Sequence, residues 1–86
     1  MNINELIAIV KNKLQTKILI QDLKIEDKSF LHKSHSGHQE GKFHLKIILS
    51  SNELKSMSRI ESNKKIYKIL DKELKETIHS IQILIF

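Results

Sequence analysis

Apolar positions repeat with two different periods along the first part of the chain. Ile3, Leu6, Ile7, Val10 and Leu14 recur at three- and four-residue spacing, which predicts an amphipathic helix over about Asn4–Gln15. From Leu19 to Asp27 the period becomes two. Leu23 and Ile25 face one way and Asp22, Lys24 and Glu26 the other, the mark of a half-buried strand. A second alternating run places Phe43, Leu45, Ile47 and Leu49 on one side and His44, Lys46 and Ser50 on the other. It is expected to pair antiparallel with the first, leaving His44 as an exposed or cross-strand residue. Between them, Lys28 to Gly41 holds both glycines and three serines and reads as the one long loop. A loop of that length in a small domain is more often functional than idle.

Two serine-to-glutamate spacings follow, Ser50-Ser51-Asn52-Glu53 and Ser58-Arg59-Ile60-Glu61. Each has the form of a capping box, in which a serine oxygen takes a backbone N–H of the first helical turn. The first predicts a short helix ending near Met57. The second predicts a long helix to about Thr77, buried along Ile66, Ile69, Leu70 and Leu74. The last run, Ile78 to Phe86, alternates at Ile81, Ile83 and Ile85 and reads as a third strand. The order α-β-β-α-α-β defines an α+β fold with a three-stranded mixed sheet and helices on one face.

Composition narrows the class. The chain has 86 residues and is 40% apolar, with no proline, repeat or linker tract. One domain over residues 1–86 is expected, with wholesale disorder excluded. Its longest apolar runs are too short to span a bilayer. Met1-Asn2-Ile3-Asn4-Glu5 has no basic leader, so a soluble cytoplasmic protein is expected. Net charge is +5, from fourteen lysines and the single Arg59 against ten acidic residues. Lysine is spread along the chain, so charge alone does not define a nucleic-acid surface. The densest basic stretch, Lys64, Lys65 and Lys68 with Arg59 close by, is a solvated helix face or a contact for phosphate or a protein partner.

The chemistry is carried by histidine. His32, His35 and His38 recur at three-residue spacing in the long loop, and His79 opens the last strand. Imidazole is the commonest side-chain metal ligand and is mostly neutral at pH 7. The chain has no cysteine, so disulfides and thiolate metal centres of its own are excluded. An imidazole cluster without thiolates reads as half a metal site. Two blander readings stand beside it: His79 as a cap on the preceding helix end, and the loop histidines as an adventitious zinc-binding tract. Ser34 and Ser36 lie beside histidines but lack an orienting carboxylate, so no catalytic residue is assigned and no enzyme is expected.

These residues resemble the BolA-like protein family in order along nearly the whole chain. Asp27-Lys28-Ser29 with His32 resembles the family's D-E-S-x-x-H, and His35 with Gly37 resembles its H-x-G-H loop. Phe43-His44-Leu45-Lys46-Ile47 resembles T-H-F-x-V, Ser51 and Leu54 fit S-x-x-F, and Ile66-Tyr67 fits the helix signature. Leu70-x-x-Glu73-Leu74 with Ile78-His79-Ser80-Ile81 resembles L-x-x-E-L and V-H-A-L. The chain departs at Ser62-Asn63-Lys64, where the family has R-H-R, and at Ser56, where it has the glycine of F-x-G.

The resemblance implies a class II KH-like fold and a non-enzymatic adaptor that binds a monothiol glutaredoxin. The two would share a [2Fe–2S] cluster, with the glutaredoxin and glutathione supplying thiolates. His79 matches the family's C-terminal ligand, and His32, His35 and His38 are all within reach of the loop ligand. The isolated chain would carry no cofactor and be a monomer or weak homodimer. A mixed thiolate–imidazole set raises the reduction potential and is more labile than four thiolates, which suits cluster handling or iron regulation. The alternative is a KH-like DNA-binding transcriptional regulator using Arg59, Lys64, Lys65 and Lys68; both departures fall where such a domain meets nucleic acid.

Overall fold

The computed structural model describes residues 2–29 and 43–86. Helix α1 (Ile3–Lys17) is capped by Asn2, whose Oδ1 accepts from the Glu5 N–H at 2.8 Å while its Nδ2 donates to the Glu5 carboxylate. That cap starts the helix at Ile3, one residue ahead of the expected Asn4, since it satisfies a backbone donor with no partner inside the helix. Leu6, Val10 and Leu14 are fully buried against the sheet.

Strand β1 (Asp22–Asp27) runs antiparallel to β2 (Phe43–Ser50), and β3 (Ile78–Ile85) lies parallel to β2 on its other side. The mixed three-stranded sheet and its element order follow the alternation and cap signals. Leu23, Leu49 and Ile85 share one register level, and Ile25, Ile47 and Ile83 the next. These inward levels meet Ile18, Leu54, Ile66, Leu70 and the α1 stripe in one core.

Three boundaries differ from expectation. Strand β1 starts at Asp22 rather than Leu19 because the preceding backbone is claimed elsewhere: Leu19 N–H donates to the Glu53 carboxylate and its C=O accepts from Ser51 Oγ. The cap of α2 (Asn52–Lys55) is Ser51, not Ser50; its Oγ accepts from Leu54 N–H, and α2 ends before Met57. Ser58 does cap α3 (Arg59–Ile69), accepting from Glu61 N–H at 3.1 Å. The predicted long helix is interrupted at Leu70 (φ −98°, ψ 17°), beyond which α4 (Asp71–Glu76) begins. Hydrogen bonds Leu70 N–H to Ile66 O and Leu74 N–H to Leu70 O bridge the break, so the apolar period continues through it.

The Lys65 ammonium, helped by Leu19 N–H, holds the Glu53 carboxyl below the usual carboxylate range. Glu53 therefore ties the 18–21 backbone, α2 and α3 together. Among the described residues no helix is long and apolar enough to cross a membrane.

Candidate functional site

His79 reaches the protein surface through a fault in sheet register. Phe43 pairs with Ile78, but the next residue, His44, pairs with Ser80, so His79 is an extra residue on β3. Such bulges re-aim a side chain that plain alternation would send to the other face. Alternation places His79 with Ile81 and Ile83; the bulge overturns that. Ile78 is buried in the core, whereas His79 is exposed and its ring stacks on His44, centroids 4.8 Å apart and planes inclined by 24°. The end of α4 carries the bond Thr77 N–H to Glu73 O, and among the described residues the His79 ring makes no hydrogen bond to it.

His44 is the cross-strand residue rather than the exposed one, at 6% exposure. Its Nδ1 lies 2.7 Å from Ser80 Oγ, which satisfies a polar atom that would be costly to bury alone. Its backbone anchors the neighbouring strand end. Its N–H donates to Ser29 Oγ and its C=O accepts from Lys28 N–H at 2.7 Å. Beside it, Lys28, Lys46, Ser80 and Gln82 line a groove of mixed polar and apolar character, about 350 Å³, together with Leu45 and Ile81.

His32, His35 and His38 lie outside the described residues. The segment carrying them leaves at Ser29 and returns at Phe43, and both flank His44. Among the described residues, no three histidine, aspartate or glutamate side chains gather as a metal site. The His44–His79 pair is not a chelate either. Imidazole lone pairs lie in the ring plane, so two nearly parallel stacked rings do not converge on one ion. Among the described histidines, His79 is the exposed donor, and a cluster shared with an outside thiolate source is compatible with it.

The predicted basic positions are divided by the fold. Arg59 lines a groove of about 240 Å³ between the α2–α3 turn and the end of β3, with Lys55, Ser62 and Asn63 on the polar side and Met57 and Ile83 on the apolar side. Lys64 and Lys68 are exposed elsewhere on α3, and Lys65 is engaged by Glu53. Lys55 was not recognisable from sequence, since only the turn between α2 and α3 brings it beside Arg59.

The arrangement defines a small α+β domain with helices on one sheet face and an exposed imidazole where β3 begins. The model for BolA-like protein matches residues 14–86. The chain belongs to the BolA-like protein family. It is 30% identical over 78 residues to the DNA-binding transcriptional regulator BolA of Haemophilus influenzae, covering 91% of this chain and 73% of that protein. Among solved structures, the BolA domain of SufE1 from Arabidopsis thaliana superposes with a TM-score of 0.77 at 26% identity, covering 91% of this chain and 86% of that one. BolA1 from the same plant gives 0.77 at 23% identity with the same coverage and shares the fold.

Proposed function

We propose that this chain is a non-enzymatic adaptor that binds a monothiol glutaredoxin and holds one side of a shared [2Fe–2S] cluster, in iron–sulfur cluster handling or iron regulation. The observation that carries this reading is the exposed His79 imidazole, turned outward by the bulge at the sheet end where the segment bearing His32, His35 and His38 is rooted. His79 and one of those three would be the protein's ligands, and the glutaredoxin with glutathione would bring the sulfur. The bound cluster supplies an iron centre whose imidazole ligation raises its potential over that of a four-thiolate one.

Mixing the purified chain with a monothiol glutaredoxin, glutathione, iron and sulfide should give a coloured heterodimer on size exclusion. Absence of any association, with iron or without it, would remove the reading.

A second reading has its own observation. The groove holding Lys55, Arg59, Ser62 and Asn63 is cationic, and the Haemophilus relative is a DNA-binding regulator. A regulatory role predicts duplex binding that keeps a sequence preference as salt rises. Binding without preference that falls steeply with salt would reduce it to plain phosphate electrostatics.

A further inference from the structure

His44 joins the two places from which ligands would come. Through its backbone it pins Lys28 and Ser29, the last described residues before the histidine-bearing segment. Through its ring it holds Ser80 at 2.7 Å and backs His79 at 4.8 Å. Packing alone does not call for an imidazole here. Leu45 and Ile47 on the same strand are buried as plain hydrocarbon, whereas a buried imidazole needs a hydrogen-bond partner to offset its desolvation. What an imidazole adds is a flat ring whose rotation Ser80 stops.

That matters for an exposed ligand. A surface histidine turns about two side-chain torsions, and ligation must fix both. A ring already stacked on a fixed platform loses less freedom when it ligates, and such supporting contacts set ligand strength in metal sites. Because the stacked rings do not converge, His44 supports the donor without being one.

We propose that His44, locked by Ser80, is a positioning residue that holds the His79 imidazole in its ligating orientation; this rests on the reading of His79 as a ligand. The pair is particular to the bulge. Without the extra residue in β3, His79 would face the core and His44 would have nothing to support.

The test has an arm that needs no iron. In the isolated chain, NMR of His79 should show ring-current-shifted ring protons and side-chain couplings of a single rotamer. His44→Ala should abolish the shift and average the couplings. His44→Phe, which keeps a flat ring but loses the bond to Ser80 Oγ, and Ser80→Ala, which keeps the imidazole but loses the same bond, should both fall between the unmodified chain and His44→Ala. In the second arm, the cluster-bearing heterodimer should lose iron to a chelator about 10-fold faster with His44→Ala, and faster than the unmodified complex but by a smaller factor with His44→Phe. Unchanged His79 couplings in His44→Ala, or equal release rates across the series, would overturn the proposal. If His44→Ala fails to fold, His44→Phe and Ser80→Ala decide it: His79 couplings unchanged from the unmodified chain in both would overturn the proposal. A cluster indifferent to His79→Ala defeats the ligand reading itself, and the NMR arm tells that failure apart from a failure of positioning.

Discussion

Replacing His79 by alanine is expected to abolish the heterodimer's visible absorption while leaving the fold of the free chain intact. The side chain is exposed and makes no hydrogen bond among the described residues. Its removal therefore costs no more than the stack on His44, at most about 1.5 kcal/mol. Far-ultraviolet circular dichroism and the melting temperature of the free chain should change little. The colour should change completely, because no described group stands ready to replace the lost donor. His44 is turned parallel to His79 rather than toward a common point, Ser80 is engaged with His44, and the chain has no cysteine. Visible absorption of the reconstituted complex is the measurement, and an unaltered spectrum would take His79 out of the site. His44→Phe is the companion variant: it should weaken cluster retention slightly and leave the absorption in place.

The contrast between these two histidines shows where sequence reading reaches its limit. Periodicity is a property of one segment, and the elements that follow from it were legible: the α1 stripe at Leu6, Val10 and Leu14, the alternation of β2, and the Ser58 cap. Whatever depends on two distant segments was not. The outward turn of His79 belongs to the register between β2 and β3, set by Phe43 and Ile78. The partners of the His44 ring, Ser80 at 2.7 Å and His79 at 4.8 Å, lie far along the chain. The late start of β1 reflects Ser51 and Glu53, which bind Leu19 in competition with the strand ladder. The break at Leu70 leaves no trace in the apolar period because hydrogen bonds run across it. The family resemblance pointed to His79 by motif, whereas the plain period pointed its side chain into the core. The bulge reconciles the two.

Lys13→Met is expected to destabilise the protein more than its half-exposed position implies, by about 2–3 kcal/mol. Glu73 is the most deeply buried carboxylate among the described residues, with a side chain only 7% exposed. Lys13 reaches it from α1, Nζ to Oε2 at 2.7 Å across 60 residues of chain, and Oε1 is buried with no hydrogen-bond partner among the described residues. Removing the ammonium leaves a buried charge with both oxygens unsatisfied, which costs more than the ion pair contributed. The Lys13 side chain is about a third exposed, so solvent screens part of the effect and the loss falls below that of a fully buried pair. In a domain of this size, 2–3 kcal/mol corresponds to a fall of about 10–20 °C in melting temperature. The second half of the prediction separates charge from packing. The double variant Lys13→Met with Glu73→Leu should recover the original stability or exceed it, because two apolar side chains bridging α1 and α4 carry no desolvation cost. Urea unfolding of the unmodified chain and the two variants measures both halves. A double variant as unstable as Lys13→Met alone would mean that the pair contributes through geometry that hydrocarbon cannot reproduce.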